Sequence, residues 1–541
     1  MIFLIIIVAA ILRLVNLGSG DPISDEATNA FRSLGMIDFD ASAAQPTPWE
    51  WLDPDLPWWA RLSFHDHPLL TFYIEHWSMR IFGETDFAYR LPAAVFGLLS
   101  VYWLYLLGCR LFNERVGLLS AVTLAVTVNH VYVSRIGLQE SYAIFFILLI
   151  SYLFWRALDD RRYFLLLGAA VGFGLLAKYT TFIAVVICLV YAAIFRRDIF
   201  KNKSFYLAVG LAILIITPSI IYNLMLYKTF GHFDFQISHI LGDYPESWRI
   251  APGKTIGTLS DRLRTLPMNI FKTNSWVFLA LAFGGIISSL SLRGRPKQSL
   301  AFLFIATISM FFLYLKIGTA YRFLAMLAPL GALWVGILLD NVALRQAQGI
   351  RLKILQIILC IFFAFEVFYS VNSQILAYPI GKMPWAYSNV RYENYNWGYN
   401  ELGEFLSAEF GGRAPELSFD AKYDFLNKLK DGDIARVVAA GYPTTATLIL
   451  YEGNFDFAAK LWYLDRLQVY HGWPVMSFRN YLAELGARGE NYFENLGFRE
   501  YYLILATNIV SSPNLNAFVA GKQFASILNK RNEEAFRVYI F

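Results

Sequence analysis

Long apolar runs constrain the fold of this chain more than any other feature. A helix needs about 17–25 mostly apolar residues to cross a hydrocarbon layer about 30 Å thick. Runs close to this length lie at roughly 1–17, 91–110, 116–133, 138–156, 163–178, 180–195, 204–223, 274–291, 299–315, 322–340 and 354–372. They predict an α-helical polytopic membrane protein with about eleven transmembrane helices. The two shortest runs, 163–178 and 180–195, could instead form a re-entrant or tightly turned pair.

The composition agrees with a membrane protein. Of the 541 residues, 57% are hydrophobic and 16% are charged, whereas soluble domains carry about a quarter charged residues. The net charge of +5 is not gathered into a basic stripe on a soluble segment, so we expect no nucleic-acid partner. The N-terminal run lacks a basic leader and an A-x-A-like cleavage site, which favours a retained helix over a signal peptide. Three cysteines lie in or beside apolar runs without metal-like spacing: Cys109, Cys188 and Cys360.

The distribution of basic residues predicts the orientation in the membrane. Alternate loops, "CRLFNERVG", "WRALDDRRY", "FRRDIFKNKS", "LRGRPKQ" and "LRQAQGIRLK", together hold fifteen Arg and Lys residues. The opposing short loops hold only Arg135, Lys178, Lys316 and Arg322. Because basic loops stay in the cytoplasm, we expect a cytoplasmic N-terminus and an extracytoplasmic C-terminus.

This orientation divides the chain into two expected domains. Residues 1–372 form the transmembrane domain, with outer loops at 18–90 and 224–273, and residues 373–541 form an extracytoplasmic α/β domain. In the latter, "RVVAAGYPTTATLILYEG" and "REYYLILATN" predict strands, while "YNELGEFLSAEF" and "MSFRNYLAELGARG" predict helices. Tryptophans beside prolines in the first outer loop suggest segments in the headgroup plane: Trp49, Trp51, Trp58 and Trp59.

An acidic pair, Asp25 and Glu26, follows the first apolar run in "SDEATNAF". A carboxylate at the outer end of a membrane helix can accept a proton from a hydroxyl or amine nucleophile, which is the work of a general base. The alternative is an ordinary helix N-terminus, where acidic residues cap the helix and interact favourably with its dipole.

The first outer loop also contains His65, Asp66 and His67 in "SFHDHPLL". Two histidines in this arrangement can ligate a metal ion if nearby acids complete the site. The spacing is too short and unaccompanied to be specific for a metal, and it favours a turn at the membrane surface in which the histidines are hydrogen-bonded or hydrated.

Further along, "SRIGLQE" places Arg135 at the outer boundary and Glu140 at the start of the next apolar run. The arginine could hold a phosphate through its bidentate fork, or it could pair with Glu140. A snorkelling arginine beside a helix-start glutamate is the alternative.

Lone cations lie at the outer ends of later runs, Lys178 in "GLLAKYTTF" and Lys316 and Arg322 in "KIGTAYRFLAMLAPL". Ionisable residues at membrane depth are costly and are often functional, so a lipid phosphate is a natural partner for them. They could also serve as interfacial anchors. The unusual polar groups thus converge on one face, which predicts chemistry at the outer surface of the membrane.

In their order and sidedness, the motifs "DE", "HP-L", "SRxxxxE", "GLLAKYT" and "YRFLAMLAP" resemble the GT-C membrane glycosyltransferases. Within that superfamily they are similar to the branch containing protein O-mannosyltransferases and lipid A aminoarabinose transferases. The segment "YENYNWGYNELGEFL" also resembles the entrance to the outer domain of bacterial members.

The resemblance implies an enzyme that moves a sugar, hexosyl or pentosyl, from a polyprenyl-phosphate carrier to a lipid, protein or glycan acceptor. It implies that Asp25 is the general base of an inverting transfer, with Glu26 beside it and Glu140 as a second acid. By the same resemblance, Arg135, Lys178 and Arg322 would bind the donor phosphate. The remaining candidates for substrate binding are His67 and His65.

Phosphate is already a good leaving group, so we expect no required cofactor, although a divalent metal at His67 and Glu26 remains an alternative. The other expected partner is the lipid bilayer, in a bacterial plasma membrane. The competing hypothesis from a different class is a transporter or flippase of lipid-linked substrates. Transporters usually place their polar sites near the membrane midplane, whereas these groups cluster at one face.

Overall fold

The computed structural model describes residues 1–37, 57–242, 256–290, 297–342, 350–394, 396–421, 424–507 and 513–541. These residues form two compact units. We call Met1–Gly18 with Pro57–Tyr392 the helical unit, and Ser19–Ile37 with Glu393–Phe541 the mixed unit. Trp49, Trp51 and most of the two basic segments after residues 290 and 342 lie outside the described residues.

Helices account for most of the first 374 residues. In chain order they are α1 (Ile2–Leu14), α2 (Ser24–Gly35), α3 (Leu70–Phe82), α4 (Asp86–Leu111), α5 (Glu114–Val126), α6 (Val128–Val133), α7 (Glu140–Ala157), α8 (Tyr163–Ala177), α9 (Phe182–Phe195), α10 (Lys203–Phe230), α11 (Phe235–Leu241), α12 (Leu259–Thr273), α13 (Trp276–Leu290), α14 (Lys297–Ile317), α15 (Ala328–Val342) and α16 (Ile350–Gln374). Short 3₁₀ turns at Trp58–Leu62, Tyr179–Thr181 and Phe323–Leu327 interrupt this series.

Each of the eleven apolar runs coincides with one or two of these helices. Among the described residues, six are long and apolar enough to cross a membrane: Asp86–Leu111, Glu140–Ala157, Lys203–Phe230, Lys297–Ile317, Phe323–Asn341 and Gln356–Gln374. Helices α12 and α13 pass the same test only as a pair bent by 119°. A helical membrane protein is thereby confirmed, while the number of eleven spans stays a prediction.

Two helix boundaries differ from those the sequence predicts. The run at 116–133 is divided at Thr127, whose ψ of 121° ends α5 before α6 begins. The Thr127 hydroxyl donates to the Thr123 carbonyl at 2.7 Å, a local hydrogen bond that competes with the helix ladder. Helix α10 continues to Phe230, so the region expected to begin at residue 224 starts one to two turns later.

Small residues allow the helices of the helical unit to approach closely. A Cβ atom on Gly108 in α4 would lie 2.8 Å from the Gly117 Cα in α5, a distance that only glycine permits. This close backbone approach is typical of packing between membrane helices, where dispersion contacts replace the hydrophobic effect.

The tryptophans of the 3₁₀ turn at Trp58–Leu62 have different environments. Trp58 is 64% exposed. Trp59 is 3% exposed, and its ring lies 5.9 Å from that of Tyr222 in α10. Trp59 therefore packs against a helix of the same unit, and the position of this segment in the headgroup plane stays a prediction.

The mixed unit contains helices α17 (Tyr399–Phe410), α18 (Asp424–Ala439), α19 (Phe457–Ala459), α20 (Arg466–His471), α21 (Phe478–Arg488), α22 (Tyr492–Asn495) and α23 (Pro513–Val519). Its strands are β1 (Ala414–Pro415), β2 (Thr444–Thr445), β3 (Thr447–Tyr451), β4 (Val475–Ser477), β5 (Glu500–Ala506), β6 (Phe524–Leu528) and β7 (Glu534–Ile540). The main sheet has the order β4-β3-β5-β7-β6, in which β4, β3 and β5 are parallel and β7 is antiparallel to both neighbours.

Alternating residues of the central strands form the core of this unit. Leu448, Leu450 and Leu503 are fully buried and pack with Phe478 and Phe493 from the covering helices. This pattern is that of a sheet whose face is covered by helices.

One strand prediction in the mixed unit is wrong at its start. Residues 436–439 of "RVVAAGYPTT" belong to α18, which the structure continues to Ala439. The β-branched pair Val437 and Val438 favoured a strand, but Gly441 with a φ of 86° closes the helix just after it. The strand proper begins only at Thr444.

Candidate active site

Glu140 begins helix α7 in the helical unit. The chain reaches it through the turn that follows α6, and the carboxylate lies in the first turn of α7, where it interacts favourably with the helix dipole. Its side chain is 1% exposed. A carboxylate buried at a helix start in a membrane protein requires cationic partners.

Lys178 is the first of these partners. Helix α8 ends at Ala177, and Lys178 has an extended backbone with φ −163° and ψ 130° before the 3₁₀ turn at Tyr179–Thr181. Its Nζ donates to Glu140 Oε1 at 2.7 Å, and its side chain is 5% exposed. The break between α8 and α9 thus places the Lys178 side chain against Glu140 at the start of α7.

Arg322 is the second partner and comes from a distant part of the chain. Helix α14 ends at Ile317, Gly318 adopts a φ of 96°, and Arg322 follows just before the 3₁₀ turn at Phe323–Leu327. Its Nε lies 3.5 Å from Glu140 Oε1. Lys178 Nζ and the Arg322 guanidinium each lie 5.2 Å from the centre of the Phe323 ring.

Glu140, Lys178 and Arg322 therefore form one group, which we call the Glu140 cluster. It holds one carboxylate against two cations. Arg322 is the most exposed member, at 28% of its side chain. An arginine fork of this kind can donate to a phosphate or a carboxylate.

Arg135 has a different set of contacts. Its Nη1 donates to the carbonyls of Leu12, Arg13 and Val15 at 2.8–3.2 Å. Its Nη2 donates to the carbonyl of Asn16 at 3.1 Å. These are the carbonyls that the end of α1 leaves without helical partners, so Arg135 acts as a side-chain cap on α1.

The loop with His65, Asp66 and His67 is a tight turn in the helical unit. The Phe64 amide donates to the His67 carbonyl at 3.2 Å, and His67 Nδ1 lies 3.0 Å from Asp66 Oδ1. The His65 side chain is only 4% exposed, whereas that of His67 is 22% exposed. Of the two histidines, His67 has the more exposed side chain.

Asp25 and Glu26 lie in the mixed unit, in the first turn of α2. Glu26 is fully buried, and its Oε1 accepts a hydrogen bond from the Ile23 amide at 3.0 Å. Glu26 therefore caps α2, which is the structural alternative considered for the pair. Asp25 is half-buried.

Two residues that the sequence did not single out hold α2 in the mixed unit. The carboxylate of Asp21 accepts hydrogen bonds from the amides of Trp397 and Asn400, at the start of α17. The Tyr470 hydroxyl donates to the Phe31 carbonyl at 2.6 Å, and the two rings lie 5.0 Å apart. In the sequence, Asp21 lies in "GDP", a pattern typical of an ordinary turn. Its hydrogen-bond partners therefore become apparent only in the structure.

Protein ligands for a metal ion come mostly from His, Cys, Asp and Glu side chains. In the part of the chain that the structure describes, no group of three or more such side chains is arranged to hold a metal ion.

Sequence comparisons match part of the chain to known proteins. Residues 66–222 match the family model of the dolichyl-phosphate-mannose-protein mannosyltransferases. The undecaprenyl phosphate-α-4-amino-4-deoxy-L-arabinose arabinosyl transferase of Erwinia tasmaniensis is 28% identical over 195 residues, which cover 34% of this chain and 35% of that protein. The corresponding enzyme of Wigglesworthia glossinidia brevipalpis is 23% identical over 156 residues, 28% of each chain. The match thus spans about a third of the length of these relatives.

Structural comparisons extend over the whole chain. The structure of ArnT from Cupriavidus metallidurans bound to undecaprenyl phosphate has a TM-score of 0.54 at 13% identity and covers 100% of this chain and 97% of that one. The oligosaccharyltransferase of Archaeoglobus fulgidus has a TM-score of 0.51 at 14% identity, covering 93% of this chain and 67% of that one. Together these comparisons confirm that the chain resembles the GT-C membrane glycosyltransferases, in the branch of the protein O-mannosyltransferases and lipid A aminoarabinose transferases.

Proposed function

We propose that this protein transfers a sugar from a polyprenyl-phosphate carrier to an acceptor outside the cytoplasm. The observation that carries the proposal is the Glu140 cluster, in which two cations face one buried carboxylate. Ionisable residues at the ends of membrane helices are costly and often functional. Two cations gathered beside one carboxylate can bind an anion, and a lipid-linked phosphate would supply one there.

Within this proposal, Lys178 and Arg322 hold the phosphate of the carrier. The guanidinium of Arg322 suits a phosphate because its planar fork can donate two parallel hydrogen bonds. Glu140 keeps both cations in place through its single Oε1 atom and does not itself act on the substrate. For Arg135 we propose that it positions α1, a role supported by its hydrogen bonds to the carbonyls at the end of that helix.

We propose that transfer occurs in a single displacement, with no covalent enzyme intermediate. A lone pair on the acceptor attacks the anomeric carbon from the face opposite the phosphate, forming the new glycosidic bond and inverting that carbon. The bond between the anomeric carbon and the phosphate oxygen breaks, and its electron pair leaves with the phosphate. Lys178 and Arg322 stabilise the charge that develops there.

The acceptor proton passes to Asp25, which we propose as the general base. The role rests on the resemblance, which places the base at Asp25, while Glu26 beside it caps α2. We further propose that His67 contacts the substrate and that His65, which is turned inward, supports that loop.

The remaining features of the proposal follow from the resemblance. Both hexosyl and pentosyl donors are candidates, because the family model names mannose and the arabinosyl transferases name a pentose. The acceptor is a lipid, protein or glycan, and the transfer is proposed to need no metal. We propose a cytoplasmic N-terminus, with the mixed unit outside the cytoplasm in a bacterial plasma membrane.

The test is a transfer assay with the purified protein in lipid nanodiscs. Labelled polyprenyl-phosphate pentoses and hexoses are supplied with lipid, peptide and glycan acceptors, and release of polyprenyl phosphate is measured with and without a chelator. We expect transfer from at least one donor, and a loss of about 100-fold in kcat/KM for that donor in Arg322→Met.

The matched control is Lys228→Met, which removes an exposed cation from the last turn of α10 and should leave transfer unchanged. Equal activity of Arg322→Met and wild type would contradict the phosphate assignment. In liposomes, movement of a labelled carrier across the bilayer without any sugar transfer would instead establish the transporter hypothesis.

A further inference from the structure

Asp234 is a fully buried carboxylate that the sequence analysis did not single out. It follows α10 and precedes α11 in the helical unit, and no part of it is exposed. Burial raises the pKa of its carboxyl group. Because burying such a group is costly unless donors compensate it, its partners indicate what the residue is for.

Three donors from three different elements meet on this carboxylate. Its Oδ2 accepts from the Tyr179 hydroxyl at 2.8 Å and from Asn223 Nδ2 in α10 at 2.9 Å. Its Oδ1 accepts from the Ile237 amide at 2.9 Å and so caps α11. The Asp234 amide in turn donates to Asn223 Oδ1 at 2.8 Å.

The first of these partners is adjacent in the chain to the phosphate-binding lysine. Tyr179 follows Lys178, whose extended backbone lies outside both neighbouring helices. The hydrogen bond from Tyr179 to Asp234 is therefore a side-chain anchor at the segment that directs Lys178 at Glu140.

The capped helix α11 holds the loop with the histidines. The Phe235 amide donates to the His65 carbonyl at 2.8 Å. Gln236 Nε2 donates to the Asp66 carbonyl at 2.7 Å. Both contacts come from the first turn of α11, whose start is fixed by Asp234.

From these contacts we propose that Asp234 is a positioning residue that joins the segment carrying Lys178 to the loop carrying His67. One carboxylate ties both segments to α10, so a displacement of either one is transmitted to the other. This inference rests on the proposed function, because it matters for catalysis only if Lys178 binds the donor phosphate and His67 contacts substrate.

The test uses Asp234→Asn, which keeps the shape of the side chain but replaces one carboxylate oxygen with an amide nitrogen. In either orientation of the amide, this nitrogen faces a donor, Asn223 Nδ2 or the Ile237 amide, and the network opens. We expect the KM for the polyprenyl-phosphate sugar to rise about tenfold, kcat to change less than about threefold and the acceptor KM to stay unchanged. Tyr179→Phe should shift the donor KM in the same direction by a smaller factor.

A reciprocal exchange provides the rescue. In Asn223→Asp combined with Asp234→Asn, the amide nitrogen at 234 can donate to the carboxylate at 223. We expect the exchange to bring the donor KM back to within about threefold of wild type. The matched control is Ser238→Ala, which removes a buried hydrogen bond to the Phe233 carbonyl next to the same helix start without joining the two segments.

Amide hydrogen exchange tests whether Asp234 connects the two segments, and it does so independently of any transfer activity. In Asp234→Asn, residues 63–68 and 178–181 should lose protection together, while Ser238→Ala should leave both segments protected. An unchanged donor KM, equal effects of Asp234→Asn and Ser238→Ala, or no rescue by the exchange would overturn the proposal. If wild-type protein transfers no sugar, the proposed function fails, and exchange at the two segments still decides whether Asp234 joins them.

Discussion

The Glu140 carboxylate accepts a hydrogen bond from the Lys178 ammonium at 2.7 Å, with side-chain exposures of only 1% and 5%. The two opposite charges therefore offset each other where little solvent reaches them. Removing one member of such a pair leaves an uncompensated buried charge, which typically costs about 3–5 kcal/mol, whereas removing both costs much less.

The first prediction is a strong non-additivity between these two residues. We expect Lys178→Met and Glu140→Gln each to lower the unfolding temperature, and the double variant to be more stable than Glu140→Gln alone, because it keeps one cation fewer around the lost carboxylate. Donor kcat/KM should nevertheless fall about 100-fold in Lys178→Met and stay low in the double variant, because the phosphate has lost its cation. Thermal unfolding and donor kinetics on the three variants measure both effects, and additive changes in stability would contradict the ion pair.

The second prediction separates the two members of the acidic pair. Asp25→Asn should reduce kcat by at least about 100-fold, with the KM of the donor unchanged, because it removes the base but not the phosphate ligands. Glu26→Gln should keep most of the activity and cost about 1 kcal/mol of stability, since the amide oxygen can still cap α2. Steady-state kinetics with thermal unfolding distinguish the two variants, and full activity of Asp25→Asn would remove it from the mechanism.

The sequence was informative about the Glu140 cluster for a physical reason. Ionisable residues at the ends of apolar runs are rare and costly, so Glu140, Lys178 and Arg322 were visible without a structure. The structure brings them together in the helical unit. The helical membrane fold was equally predictable, because apolar runs of sufficient length have few other uses.

Other features could not be predicted from the residues alone. An arginine at the end of an apolar run can bind a phosphate or donate to the carbonyls of a neighbouring helix. The sequence around Arg135 does not distinguish these two roles, whereas the structure shows its carbonyl acceptors. Asp234 looks like any acid before a short helix. The packing of α2 depends on contacts between Asp21 and Trp397, which are far apart in the chain.

The third prediction distinguishes these two roles of Arg135. We expect Arg135→Met to lower the unfolding temperature by about 5–10 °C, because four carbonyls at the end of α1 lose their donor. The KM of the donor should change much less than in Lys178→Met. Binding of polyprenyl phosphate to nanodisc-embedded protein checks this, since a phosphate ligand would lose affinity without losing stability.

The fourth prediction concerns the packing of α2 in the mixed unit. A Cβ atom on Gly35 would lie 2.5 Å from Tyr470 Cε1 and 2.7 Å from its hydroxyl. Gly35→Ala should therefore cost about 1–3 kcal/mol. Tyr470→Phe should cost about 1 kcal/mol through the lost hydrogen bond to Phe31.

Because the two changes share one contact, their combined cost should be smaller than the sum. Hydrogen exchange over residues 24–35 reports the loosening of α2 directly. Tyr442→Phe, at an exposed tyrosine of the same unit, is the control and should change nothing. Strictly additive costs would contradict the contact between Gly35 and Tyr470.

The fifth prediction is a pH dependence in the mixed unit. Burial alone would raise the pKa of Asp433, but hydrogen bonds from His471 and Arg436 lower it below its ordinary value. His471 Nδ1 donates to Asp433 Oδ2 at 2.8 Å, which ties α20 to α18. Since the folded pKa is lowered, the pair stabilises the unit above the unfolded value of about 3.9, and that contribution is lost as the pH falls through the folded pKa.

We therefore expect hydrogen exchange in residues 424–439 and 466–471 to accelerate together on acidification below about pH 4. Asp433→Asn should lower the protection of both helices at pH 7, because it removes the charge that His471 and Arg436 stabilise. It should also flatten their dependence on acid, since the titrating carboxyl is gone. A variant that kept the full acid dependence of the wild type would show that another group controls it.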